Sequence, residues 1–315
     1  CLQTFLSQTQ QSVEIKVVDD CSTDDTVSIA ADYARRDSRV KVNTNSARLG
    51  LASNFNRCLE SAGGDYVCVF GQDDVMLPKN IELKLRLLVE NPAVGLVHSN
   101  VFLINNQGAV IQDHWEKKSK QDYVRNGQDF TRELLFGRNQ VCCPSVLMRK
   151  ATYQLHGGFS EDLYYTCDWE MWMRLGMYYD VACLGVPLVK HRRHPTSETS
   201  RLAGSRQGIE QEVLAKEKIL SSQGHLLSPR KNFRRIVRNA GAAKALICAR
   251  REFFEDNLAG TWDTLKMAIR LNPLVLFNGL FLNLAGKTII GRRGLNRARF
   301  MKSQWLRLKR QFNGS

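Results

Sequence analysis

The segment VEIKVVDD, residues 13–20, is a short β-branched run that ends in two carboxylates. An apolar run of this length, followed by a helical pattern, is typical of a strand buried in a parallel sheet. A second run, YVCVF at residues 66–70, is followed by Asp73 and Asp74. The carboxyl ends of parallel strands open onto the crevice where α/β sheets bind ligands, so we expect both acidic pairs to lie there.

Strand and helix patterns alternate over the N-terminal third of the chain. They predict strands at 13–20, 40–43, 66–70, 94–98, 141–148 and 181–189, and helices at 27–33, 50–62, 79–90, 168–175, 240–254 and 258–271. This order favours an α/β fold with a mostly parallel, Rossmann-like central sheet flanked by helices. We expect a main domain at 1–200, a linker with one helix at 201–229, and a basic helical region at 230–315.

The first residues do not look like the start of a complete α/β domain. The chain begins with Cys1 rather than Met, and residues 2–8 have a helical pattern. Because such a domain normally begins with a strand, we expect that the sequence is N-terminally truncated and that its first strand is missing.

The nine cysteines show neither a CxxC motif nor a Cys/His spacing. Several lie inside apolar runs, as Cys68 does, where a thiol behaves as a small buried hydrophobic group. This usage favours a reducing cytosol over a disulfide framework or a structural zinc site.

The positive charge is concentrated at the C-terminal end. The formal net charge is +14, and residues 230–315 contain 19 Lys and Arg against 4 Asp and Glu. Aromatic residues are not interleaved with these cations as a stacking platform requires, so we do not expect nucleic-acid binding. A basic region of this kind suits an anionic membrane surface.

An apolar stretch at 273–285 precedes most of these cations. It is shorter than the roughly 20 apolar residues that a membrane span needs. Four of its side chains fall near one helical face: Leu274, Phe277, Phe281 and Leu284. This face could dock on anionic lipid, so that residues 273–310 contact the membrane surface, or it could pack as a bundle helix on the main domain.

Four ordered motifs identify a resemblance. They are EIKVVDDCSTDDT at 14–26, NSARLGLASNFNRCLESAGGDYVCVFGQDD at 45–74 followed by LP, YYTCDWEMWMRL at 164–175 and VKHRRHPTS at 189–197. In this set and order the chain resembles family 2 glycosyltransferases, the inverting group with the A-type nucleotide-binding fold, of the bacterial cell-surface glycan type. The resemblance implies a nucleotide-sugar donor and a divalent cation, Mn²⁺ or Mg²⁺.

By this resemblance, Asp73 and Asp74 match the metal motif, and Asp73 also belongs to the nucleotide site. Gly71 stands where the family often has a first Asp. His194 would ligate the metal and Arg193 would bind the diphosphate, in a basic loop that closes over the donor. The alternatives are a solvated acidic turn after a strand and an exposed basic turn before Pro195.

The resemblance also places the nucleotide. Asp19 and Asp20 match the base-recognition acids, because a carboxylate accepts hydrogen bonds from a pyrimidine imide or from ribose hydroxyls. Asn45 and Arg48 lie in the loop that lines the nucleotide pocket in the family. The structural alternative for Asp19 and Asp20 is a turn or a cap for the following helix, and one residue could serve each purpose.

Asp168 matches the general base, which takes the proton of the acceptor hydroxyl in an inverting transfer. Cys167 replaces the Glu that usually precedes it in the family. The alternative for Asp168 is an N-cap of the helix that runs to Leu175. Trp169 could stack on the acceptor sugar or could be a packed core indole.

The sequence therefore predicts a hexosyltransferase for cell-surface polysaccharide synthesis, peripheral on the cytoplasmic face of the inner membrane. The donor would be a nucleotide sugar, with a UDP-sugar favoured, and the acceptor a glycan or a polyprenyl-linked sugar. Two other functions stay open. A sugar-nucleotide pyrophosphorylase would need a Gly-rich phosphate loop with Arg and Lys, which is not visible, and a non-catalytic membrane-binding protein would act through its basic tail.

Overall fold

A computed structural model describes residues 1–113, 121–227 and 232–289. As far as it is described, the chain divides into two compact units. The first contains Cys1–Arg201 and Leu214–Lys231, and the second contains Leu202–Val213 and Asn232–Ser315. Residues 202–213, which the sequence placed in a linker, thus group with the second unit.

The helices are α1 Leu2–Leu6, α2 Thr26–Arg36, α3 Leu51–Ser61, α4 Asn80–Glu90, α5 Gly127–Phe136, α6 Lys150–His156, α7 Cys167–Gly176, α8 Glu198–Leu202, α9 Arg206–Ser222, α10 Phe233–Phe254 and α11 Leu258–Leu271. The strands are β1 Ile15–Asp19, β2 Val40–Thr44, β3 Tyr66–Val67, β4 Val75–Met76, β5 Val94–Ile104, β6 Val110–Gln112, β7 Tyr123–Arg125, β8 Leu147–Arg149 and β9 Asp180–Arg192. Short 3₁₀ helices cover Cys143–Ser145, Gly224–Leu226 and Pro273–Phe277.

The strands form two sheets. β1 and β2 pair in parallel as a two-stranded sheet. The larger sheet has the order β3-β8-β5-β9-β4, with β6 paired to β5 and β7 paired to β9. Only β5 and β9 run parallel in it, and the other pairs are antiparallel.

This architecture confirms the predicted α/β fold class, with a central sheet flanked by helices. The predicted strand directions need a correction, since the sheet is mixed rather than mostly parallel. Two long strands, β5 and β9, form its centre, and strands of two or three residues pair along them in the opposite direction. Continuous apolar runs indicate strands that are buried on both faces, which is typical of parallel sheets, but a strand inside a mixed sheet is buried in the same way.

Three predicted elements differ locally. The strand expected at 66–70 ends at Val67. The strand expected at 141–148 begins as a 3₁₀ helix, because Pro144 has no N–H to donate to a sheet. β9 continues to Arg192, so the basic loop expected at 191–194 begins inside a strand.

Helix α7 lies in the core of the first unit. Every residue of α7 except Asp168 is buried, which is the pattern of a helix surrounded by protein. Asp168 itself is half-buried. The helix therefore offers solvent a single carboxylate.

The second unit is helical. α10 and α11 pack around a shared core that includes Phe281 and Leu284, from the helical residues 279–289. Leu274 and Phe277 are 71% and 83% exposed, so the four apolar side chains predicted on one face are divided between core and surface. The cations expected at 292–310 lie outside the described residues. Among those described, no helix combines the length and apolar character of a membrane span.

Candidate functional site

Asp19 and Asp20 stand at the end of β1 and have different partners. Asp19 is buried and accepts a hydrogen bond from Ser22 N at 3.1 Å, which closes a local turn. Asp20 accepts from Leu49 N at 2.7 Å and from Gly50 N at 2.9 Å. Asp20 thereby ties a later loop to the strand end.

The loop at 45–50 is held at both of its ends. Asn45 Nδ2 donates to Asp20 Oδ1 at 3.0 Å, and Gly50 adopts a positive φ of 85° that favours glycine. Burial raises the pKa of Asp20, but the hydrogen bonds from Leu49, Asn45 and Gly50 outweigh it and leave the pKa below its usual value. Arg48 is exposed, and its charge also lowers the pKa of Asp20. The structure thus brings together Asp20, Asn45 and Arg48, and their role in nucleotide binding stays a prediction.

Asp73 and Asp74 converge beside Gly71. A Cβ atom on Gly71 would lie 3.0 Å from Asp73 Oδ1 and 3.4 Å from Asp74 Oδ2. A side chain at position 71 would therefore enter the space toward which both carboxylates point. Gly71 is the position where the family pattern often has an acid, and its small size leaves this space open.

Two histidines contact the far oxygens of these acids. His194 Nε2 lies 3.1 Å from Asp73 Oδ2, and His191 Nδ1 lies 3.0 Å from Asp74 Oδ1. Burial lowers the pKa of His191, but Cys142 and Asp74 outweigh it and raise the pKa to about 11. The Asp74 carboxylate thus favours the protonated form of His191.

Arg192 fastens the same region. Its backbone N–H donates to Asp74 Oδ1 at 2.8 Å, and its Nε donates to the Asp73 carbonyl at 3.0 Å. Its Nη1 donates to the carbonyl of Asn105 at 2.7 Å. Arg193 is exposed beside these residues. The sequence indicated His194 and Arg193 for this site but gave His191 and Arg192 no role, because their pairing depends on the length of β9.

The two acids fit a hard divalent cation that is completed by a substrate. Within the described ranges, no group of three or more His, Cys, Asp or Glu side chains has the geometry to hold a metal ion by itself. Mg²⁺ typically takes one or two carboxylates and fills its shell with waters and substrate phosphates, and Mn²⁺ favours the same oxygen ligands. Asp73 Oδ1 and Asp74 Oδ2, on the Gly71 side, supply such a pair.

Asp168 begins α7 and has two hydrogen bonds. Asn139 Nδ2 donates to its Oδ2 at 3.1 Å, and Trp169 N donates to its Oδ1 at 2.7 Å. Burial raises the pKa of Asp168 to about 6, against the opposing effect of these two donors. A carboxylate with this pKa is ionised at neutral pH and binds a proton more strongly than an ordinary Asp.

Trp169 is placed differently from the acceptor platform considered above. It is only 4% exposed, and Lys216 Nζ lies 4.5 Å from the centre of its ring. The same Nζ donates to the Gly137 carbonyl at 2.9 Å. A sugar cannot stack on a ring that is buried in this way, so the structure favours the packed-core alternative.

A buried ion pair holds the rest of α7. Arg174 Nε donates to Glu170 Oε1 at 2.9 Å, and both side chains are almost completely buried. Arg174 Nη1 also donates to the carbonyls of His156 and Gly157, each at 2.7 Å. Glu170 Oε2 accepts from Ser160 Oγ at 2.8 Å. These bonds fix the helix that carries Asp168 to the preceding loop.

Comparisons with known sequences agree on one family. The sequence profile of Glycosyl transferase family 2 matches residues 1–151. An uncharacterized protein of Mycobacterium tuberculosis is 31% identical over 229 residues, which are 70% of this chain and 69% of that protein. An uncharacterized glycosyltransferase of Haemophilus influenzae is 26% identical, over 63% of this chain and 62% of its own length.

A third relative has a specific name. WfgD of Escherichia coli, a UDP-Glc:alpha-D-GlcNAc-diphosphoundecaprenol beta-1,3-glucosyltransferase, is 28% identical over 109 residues. The match covers 35% of this chain and 42% of that enzyme. The chain thus spans just over two thirds of the first of these relatives and less than two thirds of the other two.

Solved structures share the fold. Residues 1–349 of TarS from S. aureus, in complex with UDP-GlcNAc, match with a TM-score of 0.62 and 18% identity, over 91% of this chain and 83% of that one. The mannosyltransferase PcManGT from Pyrobaculum calidifontis, in complex with GDP-Man and Mn²⁺, matches with a TM-score of 0.54 and 16% identity. That match covers 91% of this chain and 81% of the other.

Proposed function

This chain belongs to glycosyl transferase family 2, and from that membership we propose that it is a metal-dependent, inverting hexosyltransferase. We propose a nucleoside-diphosphate sugar as donor, with a UDP-sugar first. Support for this donor comes from the complex of TarS with UDP-GlcNAc and from the name of WfgD. The acceptor would be a glycan or a polyprenyl-linked sugar of the cell surface, in line with the diphosphoundecaprenol acceptor in the name of WfgD.

The observation that carries this proposal is the relation among three acids. Asp73 and Asp74 direct one oxygen each toward the space beside Gly71, and Asp168 is the one residue of α7 that is not buried. A paired acidic group and a separate base of raised pKa suit the two ends of a displacement.

Asp168 would act on the acceptor. Its carboxylate accepts the proton of the acceptor hydroxyl while the hydroxyl oxygen bonds to the anomeric carbon of the donor. The bond from that carbon to the phosphate oxygen breaks, and its electron pair leaves with the nucleoside diphosphate. Attack from the face opposite the leaving group inverts the configuration.

The leaving group is anionic and needs charge neutralisation. Asp73 and Asp74, with His194 beside them, would hold Mn²⁺ or Mg²⁺, which when bound stabilises the diphosphate. The complex of PcManGT with Mn²⁺ supports this assignment. Arg193 would hydrogen-bond the diphosphate, and Asp19, Asp20, Asn45 and Arg48 would line the nucleotide site.

We also propose that the enzyme is peripheral on the cytoplasmic face of the inner membrane. The basic C-terminal region, 273–310, would contact the lipid surface. This location would bring the first unit to polyprenyl-linked acceptors.

The test is a panel of UDP-, GDP- and dTDP-sugars incubated with the full chain and Mn²⁺. We expect release of the free nucleoside diphosphate from at least one donor, lost on chelation and in the Asp73→Asn variant. Arg57→Gln, an exposed substitution on α3, is the control and should behave as the unsubstituted chain. Release of pyrophosphate or formation of nucleoside triphosphate would instead favour a pyrophosphorylase.

A further inference from the structure

A surface cavity of about 610 Å³ lies within the second unit. It is formed by the start of α10 and by the chain that follows α11. The residues that line it include three arginines, two asparagines and an exposed leucine: Arg234, Arg235, Arg238, Asn232, Asn272 and Leu274. None of these residues belongs to the acidic site described above.

Positive charge is concentrated at the N-terminal end of α10. The first turn of α10 carries Arg234 and Arg235 and has no acidic residue. Residues 232–251 contain six Lys and Arg and no Asp or Glu. The N-terminus of a helix is also the positive end of its dipole, so the dipole and the arginines both favour a phosphate there.

The cavity has an apolar edge. Leu274 lines it and is 71% exposed, and Phe277, on the same 3₁₀ helix, is 83% exposed. The segment that carries them is anchored, because Asn272 Oδ1 accepts from Leu274 N at 3.0 Å and Val275 is buried. Both apolar side chains are thus held outside the core of the second unit.

We propose that this cavity binds the phosphate headgroup of an anionic membrane lipid, with Leu274 and Phe277 entering the acyl boundary beside it. A bilayer supplies phosphate and hydrocarbon next to each other, as this surface requires, whereas a soluble phosphate would leave both apolar side chains in water. The inference rests on the proposed function, since it names the lipid contact of a peripheral transferase.

The experiment is vesicle co-sedimentation of the full chain. Vesicles of phosphatidylcholine alone are compared with vesicles that contain about a quarter phosphatidylglycerol, at about 0.1 M salt. The test variant neutralises the cavity by Arg234→Gln, Arg235→Gln and Arg238→Gln. The matched control removes the same charge from exposed arginines of the first unit by Arg35→Gln, Arg36→Gln and Arg57→Gln.

We expect the cavity variant to bind the anionic vesicles roughly tenfold more weakly and the control variant to change by less than about twofold. Phe277→Ser should also weaken binding, which a purely electrostatic contact would not predict. An equal loss in both triple variants, no loss in either, or tighter binding to RNA than to anionic vesicles would overturn the proposal.

The outcome is separable from that of the proposed reaction. Nucleoside-diphosphate release without vesicles should be the same in the cavity variant and in the unsubstituted chain. If nucleoside diphosphate is released and the cavity variant binds vesicles as the unsubstituted chain does, the lipid site alone is refuted. If the unsubstituted chain releases no nucleoside diphosphate but the cavity variant still loses vesicle binding selectively, the proposed reaction alone is refuted.

Discussion

Asn139 Nδ2 donates a hydrogen bond of 3.1 Å to Asp168 Oδ2, and the two residues are 29 positions apart in the chain. Asn139 Oδ1 accepts from Val141 N at 3.0 Å, which orients its amide. The proposed base therefore has a fixed donor on one oxygen, and its pKa reflects both burial and this bond. Turnover and stability are both expected to depend on this pair.

Replacing Asp168 by Asn should reduce turnover by roughly 10²–10⁴, because the acceptor hydroxyl then has no base. Donor binding should be nearly unchanged, since Asp168 is proposed to contact the acceptor side. Turnover is measured by nucleoside-diphosphate release and donor binding by thermal shift. Full turnover in the variant would contradict the assignment of Asp168.

The same substitution should increase stability at neutral pH. Burial raises the pKa of Asp168 to about 6, so the folded state of the unsubstituted chain loses stability as pH rises from about 4 to about 6. Asp168→Asn removes this cost, by an amount on the order of 1–3 kcal/mol above pH 6. Urea unfolding at pH 4 and pH 7 tests it, and the gain should be present only at pH 7.

The pH dependence of turnover should follow Asp168. With a pKa of about 6, kcat should fall about tenfold per pH unit below that value, as the carboxylate is protonated. Asn139→Ala removes a donor that favours the charged form, so the acidic limb should move to higher pH. Gln140→Ala is the control, because Gln140 contacts Glu133 instead. A limb that does not move in Asn139→Ala would exclude this role.

The ion pair of Glu170 and Arg174 should be essential for stability. Arg174→Met leaves a buried carboxylate without its partner, which costs about 3–5 kcal/mol of unfolding free energy. Arg201→Ala removes an exposed partner of Glu198 and should cost less than about 1 kcal/mol. Equal midpoints for these two variants in urea unfolding would show that the buried pair contributes no more than an exposed one.

Lys84 should lower stability as the pH falls from about 10 to about 7. Its side chain is fully buried, its Nζ donates to Asn80 Oδ1 at 3.0 Å, and burial lowers its pKa to about 7. The unfolded chain binds this proton already near pH 10, so stability is lost between about pH 10 and about pH 7 and stays at the lower value below that.

At pH 6, the free energy of unfolding of Lys84→Met, measured in urea, should accordingly exceed that of the unsubstituted chain by an amount on the order of 1–3 kcal/mol. The difference should shrink as pH rises above about 7 and disappear above about pH 11, where the amine is neutral in both states. Lys79→Met, an exposed change one turn away, should have no such pH dependence. A constant difference at all pH values would contradict the buried-charge explanation.

The proximity of Asp73, Asp74 and His194 could be predicted from the sequence, because these residues follow apolar runs and match an ordered set of motifs. Their roles stay predictions. His191 was given no role, since its contact with Asp74 spans 117 positions and requires β9 to extend past Val189. Strand length and register at that range are tertiary properties that local patterns do not contain.

The sheet directions were missed for a related reason. The strand predicted at 141–148 is one apolar run in the sequence. In the structure, Pro144 lies in a 3₁₀ helix, and the strand β8 that follows pairs antiparallel to β5. The role of Asp20 was also only partly visible. Two of its hydrogen bonds come from the backbone N–H groups of Leu49 and Gly50, which any residue except proline could supply.

The loop at 45–50 is tied to Asp20 by the protein's own hydrogen bonds. If the proposed nucleotide binds against this loop, the loop is already ordered, so binding costs little conformational entropy there. Discrimination among bases then depends on the fit of each base to a rigid surface and not on its ability to organise the loop. A change of donor preference would accordingly arise by exchanging side chains of this loop, with its backbone kept as it is.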